Sequence, residues 1–155
     1  EARLVITGPP GAHNPANLQY LESLQNLRST LGLEGTVHLL AEYVPQGLPD
    51  VVMADFYRLS DALILPSREE GFGIPILEAG LSRLPIFCSD LSPLRALAGE
   101  WAVYFSPDAE PQQVAHLIEE RLRPNPAYQL RCRVRQNYTW EAIYEDRIAP
   151  LLEKE

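Results

Sequence analysis

Five short apolar runs punctuate the chain, at 4–6, 37–40, 62–65, 85–88 and 102–105. Each is nearly continuous in hydrophobic residues rather than alternating, the pattern of strands buried on both faces of a parallel sheet. The stretches between them carry helical spacing. Leu18, Leu21, Leu24, Leu27 and Leu31 recur three and four residues apart, behind Asn14 as the expected N-cap and Pro15 at the first helical position. Gly32 supplies the stop. The same punctuation returns at Ser92-Pro93, where Leu94 and Leu97 form a short apolar face before Gly99, and at Pro111, followed by Val114, Leu117, Ile118 and Leu122. Strand and helix therefore alternate, which predicts an α/β fold with a parallel sheet of about five strands and right-handed crossovers. Beyond Leu122 the alternation stops. Consecutive helices are expected over 125–136 and from Thr139 onward, the second carrying Trp140, Ile143, Tyr144, Ile148 and Leu151. Pro150 is expected to kink or end that helix, because it removes a backbone donor and clashes with the preceding turn.

Composition narrows the function classes. With 155 residues, 46% of them hydrophobic and 22% charged, the chain has the make-up of one globular domain. A formal charge of −8 repels a polyphosphate backbone, and the 13 basic residues gather into no patch, so nucleic acid is not an expected partner. No apolar run approaches the roughly 18 residues of a membrane span, and the chain opens on a strand-like segment without a leader pattern. Membrane association is not indicated, and a cytoplasmic location is expected. Cys88 and Cys132 lie far apart and are read as reduced thiols. His13, His38 and His116 share no ligand spacing, and no metal is expected. Gly8-Pro-Pro-Gly11 after the first strand looks like a phosphate loop but lacks the Lys-Ser/Thr ending of an ATPase motif.

The chemistry concentrates in Leu65-Pro-Ser-Arg-Glu-Glu-Gly-Phe-Gly-Ile-Pro-Ile-Leu-Glu-Ala79, which runs from a strand through a glycine loop into a helix. Ligands of parallel α/β sheets bind at the carboxyl ends of strands. Gly71 and Gly73 allow the backbone to approach a ligand, and Pro75 suits the first turn of a helix whose free N–H groups face the loop. The helix dipole contributes only about 0.3–1 kcal/mol near the surface, so several N–H bonds must add to it to hold a phosphate. Glu70 and Glu78 flank the loop. A charged hydrogen bond from each to a hydroxyl contributes about 1.5–3 kcal/mol, which suits a ligand with a sugar on either side of its phosphates. Two glutamates alone are also compatible with a solvated loop residue and an ordinary helix-surface residue.

The run 66–79 resembles the E-x7-E signature of family 4 of the retaining glycosyltransferases, enzymes of the GT-B fold. The likeness includes both glutamates, the Gly-Phe-Gly loop and its flanking prolines, and it continues through Leu84-Pro-Ile-Phe-Cys-Ser-Asp90, Gly99, Tyr104-Phe105 and Tyr138-Thr-Trp-Glu141. It implies a Rossmann-like, doubly wound parallel sheet with a helical C-terminal segment. It also implies a nucleoside diphosphate sugar as donor, with no metal and no other cofactor. On this resemblance Glu70 is the catalytic-site residue that contacts the donor sugar, and Glu78 binds the ribose. Phe72, Gly73 and Ile74 offer backbone N–H groups to the sugar and diphosphate, with Gly71 beside them. Tyr43 and Val44 lie where the base is seated, and Gly8 belongs to a loop bordering the donor cleft.

The chain also departs from the family. Ser82-Arg83 stands where a small residue, often Gly, is usual, and Ala96 where many members have Glu. The family's domain begins with a strand followed by an Arg and a Lys that bind the diphosphate; the first strand here matches its second, so that pair has no counterpart. Residues 1–155 are therefore expected to be a single donor-binding domain, the C-terminal half of the enzyme without its first strand–helix unit. The N-terminal acceptor domain becomes an expected partner, and the chain alone is expected to be an inactive part of a hexosyltransferase. The alternative is a non-catalytic nucleotide- or sugar-binding or assembly module of the same ancestry; an epimerase or phosphorylase relative is the third reading. Lack of the first strand also predicts a defect in the sheet. Strands 4–6 and 62–65 should either pair with each other or each leave an apolar edge.

Overall fold

The computed structural model of the chain describes residues 2–8 and 15–152. The expected cap Asn14, His13 and the rest of the glycine-proline loop lie outside the described residues. The chain divides into two compact units, Glu1–Arg58 and Leu59–Glu155.

The first unit opens with strand β1 (Leu4–Ile6), which pairs in parallel with β2 (Val37–Leu39), Leu4 opposite Val37 and Ile6 opposite Leu39. Helix α1 (Pro15–Thr30) connects them. Its end is set by Gly32, whose φ of 64° lets the Gly32 N–H reach the Ser29 carbonyl at 3.1 Å and the Leu33 N–H reach Arg28 at 3.0 Å. These two bonds satisfy carbonyls that the last helical turn leaves open. The leucine stripe on α1 is only partly covered: Leu21 and Leu24 are half-buried, whereas Leu18, Leu27 and Leu31 are exposed. A two-stranded ladder offers too little face to cover the whole stripe. Arg28 closes the unit from the last turn of α1, donating to both oxygens of Glu42 at 2.9 and 2.7 Å. Glu42 ends a 3-10 turn (Leu40–Glu42) that follows β2, and helix α2 (Asp50–Leu59) comes after it.

In the second unit three parallel strands, β3 (Leu63–Leu65), β4 (Ile86–Ser89) and β5 (Ala102–Phe105), lie in that order. Helix α3 (Ile74–Leu81) links β3 to β4, and α4 (Ser92–Ala98) links β4 to β5. Helix α5 (Pro111–Leu122) turns Val114, Leu117 and Ile118 onto a core of Phe87, Phe105 and Leu122. Helix α6 (Pro126–Asn137) starts at Asn125, whose side chain accepts from the Ala127 and Tyr128 N–H groups. No residue of α6 is fully buried, and polar ties hold it instead. Arg131 donates to the Ser60 carbonyl and to Asp61, at 2.7 and 2.8 Å, and Arg135 donates to the other Asp61 oxygen at 3.0 Å.

The architecture is α/β with parallel strands and a helical C-terminal segment, Rossmann-like as expected. The five strands fall into ladders of two and three. Two expectations need correction. Only β4 is buried along its whole length; Leu4, Val5 and Ile64 are exposed, because β1 and β3 are edge strands of their ladders. Pro150 does not end the last helix. After α7 (Trp140–Ile143), capped by Thr139, the backbone widens into a π turn (Tyr144–Ile148) and continues into α8 (Ala149–Leu152). The wider turn moves backbone carbonyls off the path of the proline ring, which a regular helix would not.

Candidate functional site

The loop at the carboxyl end of β3 is shaped by one glycine. Gly73 adopts φ 95° and ψ 41° as the N-cap of α3, a left-handed conformation that L side chains rarely adopt. A Cβ added there would lie 2.7 Å from Leu94 Cδ2 and 3.3 Å from Leu97 Cδ1, so α4 leaves no space for a side chain. Gly71 differs: its φ is not positive, and nothing stands within 4 Å of a Cβ built on it. The Ile76 N–H turns back to the Gly73 carbonyl at 3.0 Å, and Pro75 has no N–H. That leaves the Ile74 N–H in the first turn, where an α-helix has no internal acceptor. Phe72 and Ile74 are exposed on either side of the buried Gly73.

Glu70 enters the site from the loop. It is half-buried, it accepts from the Ser67 hydroxyl at 3.3 Å, and its Cγ lies 3.9 Å from the position a Gly73 Cβ would take. Glu78 is exposed on α3, one turn after Ile74. The structure thus places Glu70, Gly71, Phe72, Gly73, Ile74 and Glu78 on one loop–helix segment. Gly8, Tyr43 and Val44 belong to the first unit. Gly8 follows β1 with open space around it, and Tyr43, exposed, and Val44, half-buried, follow the turn after β2, both donating N–H to the Leu40 carbonyl.

At the far end of α3, Arg83 stands at φ 59°, the one positive-φ non-glycine among the described residues. Its N–H bonds the Gly80 carbonyl and the Leu84 N–H bonds Ala79, both at 3.0 Å. Of the Ser82-Arg83 pair, Arg83 is therefore the left-handed residue that closes the helix.

Some residues near this loop have no local signal in the sequence. Asp90, just after β4, receives Arg95 through Nε and, at 2.7 Å, through Nη2. The guanidinium lies 4.3 Å from the centroid of the Tyr104 ring. Hydrogen bonding to Arg95 holds the Asp90 carboxyl below its ordinary range, and Asp90 in turn raises the guanidinium. Burial pushes the Cys88 thiol up, with Asp90 adding to it. Arg68, in the loop itself, pairs with Asp108 at 3.1 Å, both side chains being exposed. Among the described residues no group of three His, Cys, Asp or Glu side chains could hold a metal ion, and no helix is long and apolar enough to cross a membrane.

A parallel α/β framework with a glycine-set helix start at the carboxyl end of a strand is that of a Rossmann-like domain. The family described as Glycosyl transferases group 1 matches residues 1–138, and the chain belongs to that family, whose fold is GT-B. It is 40% identical over 77 residues to the serotype-specific mannosyltransferase WbdA of Escherichia coli, covering 50% of this chain and 9% of that protein. The O-antigen chain mannosyltransferase RfbU of Salmonella typhimurium is 35% identical over 91 residues, which are 59% of this chain and 24% of RfbU. The D-inositol 3-phosphate glycosyltransferase of Jonesia denitrificans is 28% identical over 151 residues, 94% of this chain and 33% of its own length. The chain thus spans at most a third of these relatives.

Proposed function

We propose that the chain is the donor-binding domain of a retaining glycosyltransferase, which moves a hexose from a nucleoside diphosphate sugar to an acceptor held by a separate N-terminal domain. The observation that carries this reading is the Gly73 turn. It is left-handed and closed to any side chain, it sets the N–H-bearing end of α3 at the carboxyl end of β3, and it has the Glu70 stem beside it. In this reading the diphosphate accepts from the backbone of Phe72, Gly73 and Ile74. Glu78 accepts from the ribose hydroxyls, and Glu70 accepts from the sugar hydroxyls and orients the reacting carbon. No metal takes part in this reading, so the charge of the leaving diphosphate is balanced by N–H dipoles and positively charged side chains.

The domain acts in the cytoplasm in this reading, where its two free thiols stay reduced. In this reading the chain turns over no sugar by itself, because the acceptor is held by the separate domain. Two of the relatives named above are mannosyltransferases, which makes mannose-bearing donors the first to try. Calorimetric titration of the chain with UDP, GDP, ADP and their sugars tests the proposal. One nucleotide should bind, and bind more tightly as its sugar than bare; no heat from any of them would overturn the assignment.

A further inference from the structure

Helix α4 supports the Gly73 turn, yet it has only seven residues and no side-chain cap at Leu91. A helix this short is not stable through its own hydrogen bonds. Its place depends on its neighbours. On one side Leu94, fully buried, and Leu97 press against Gly73. Elsewhere on the helix, Arg95 grips the Asp90 carboxylate with two donors and lies over the Tyr104 ring. Tyr104 also donates its hydroxyl to the Gly99 carbonyl at 2.7 Å, at the point where Gly99, φ 53°, ends α4. Asp90 directly follows β4, and Tyr104 lies on β5 opposite Cys88. One short helix is thus tied near its middle and at its end to two adjacent strands.

We infer that Asp90, Arg95 and Tyr104 are positioning residues of the donor site. They fix α4 so that Leu94 and Leu97 hold Gly73 in its left-handed turn, and that turn aims the first N–H groups of α3. The inference rests on the donor-site reading above. Geometry rather than charge carries it, since the grip is two-pronged and planar. A lysine would balance the Asp90 charge but would supply neither the second prong nor the flat face over Tyr104.

The test compares four proteins: the unaltered chain, Arg95→Lys, Tyr104→Phe, and Arg131→Ala, which breaks the polar tie to Ser60 and Asp61 instead. Each is followed by hydrogen exchange of the amides of Ile76, Leu77 and Glu78 at the start of α3, the first of which bonds the Gly73 carbonyl, and by titration with UDP, GDP and ADP. Arg95→Lys should speed exchange of those amides and weaken the nucleotide that binds, each by about tenfold, the factor for one charged hydrogen bond. Tyr104→Phe should act in the same direction and less, while Arg131→Ala should leave both unchanged. Unaltered exchange in Arg95→Lys, or equal loosening in Arg131→Ala, would overturn the inference whatever binds. Loosened amides with undiminished affinity would overturn it too. Failure of the unaltered chain to bind any of the three nucleotides would instead refute the donor-site reading, and the inference would fall with it.

Discussion

Gly73→Ala puts the largest local demand on the site. The new methyl carbon would start 2.7 Å from Leu94 Cδ2 and 3.3 Å from Leu97 Cδ1, and Leu94 is fully buried, so its side chain has nowhere to swing. Overpacking of this kind costs roughly 1–3 kcal/mol. The left-handed backbone at φ 95° adds about 1–2 kcal/mol for a residue with a Cβ. Relaxation of α4 will absorb part of the sum, leaving a net loss of about 2–4 kcal/mol in urea unfolding, with the slope unchanged. Gly71→Ala is the internal control. It introduces a methyl group into open space at an ordinary φ and should stay within about 0.5 kcal/mol of the parent. If the two variants unfold at the same urea concentration, Gly73 is not held as described, and the steric basis of the site is wrong.

At the other end of α3, Arg83→Gly should stabilise the protein by about 0.5–1 kcal/mol, because it relieves the φ of 59° at some cost in unfolded-chain entropy; a loss of stability in thermal unfolding would refute this. Acidification should weaken the first unit through Glu42, whose carboxyl is held low chiefly by its hydrogen bond to Arg28. A depressed carboxyl contributes above its unfolded value and loses that contribution as pH falls through the folded one. The melting temperature of Glu42→Gln should therefore fall less between neutral pH and pH ~3 than that of the parent, and equal slopes would count against the pair. Cys88, buried in β4 with its thiol pushed up, should resist a thiol reagent until unfolding, so Cys132→Ser should abolish rapid labelling in the native protein.

Most element ends were legible where glycine, proline or a capping side chain marks them, Pro150 excepted. Gly32, Pro93, Pro111, Asn125 and Thr139 all stand where the sequence puts them, because their backbone or side-chain chemistry acts over two or three residues. The glycine loop was legible for the same reason, although spacing could not separate Gly73, whose φ and surroundings exclude a side chain, from Gly71, which sits in open space. Helix α2 was not read from the sequence, although Val52, Met53, Phe56 and Tyr57 share one face, Tyr57 fully buried and the other three half-buried, because no glycine, proline or cap marks it as plainly as the others. The pairing of Asp61 with Arg131, 70 residues away, has no local signature. The Arg95 grip on Asp90 joins a strand exit to a helix, and its Tyr104 partner comes from a third element, so periodicity reveals none of it.

The central claim is that Glu70 and Glu78 serve opposite ends of one donor, and paired calorimetry of Glu70→Ala and Glu78→Ala tests it most directly. Each variant is titrated with the nucleoside diphosphate that binds the parent and with the corresponding diphosphate sugar. Loss of a charged hydrogen bond costs about 1.5–3 kcal/mol, roughly 10–150-fold in affinity. Glu78→Ala should lose that much toward both ligands, because both carry the ribose. Glu70→Ala should lose it toward the diphosphate sugar and hardly at all toward the bare nucleotide. Equal losses for both ligands in both variants would contradict the account.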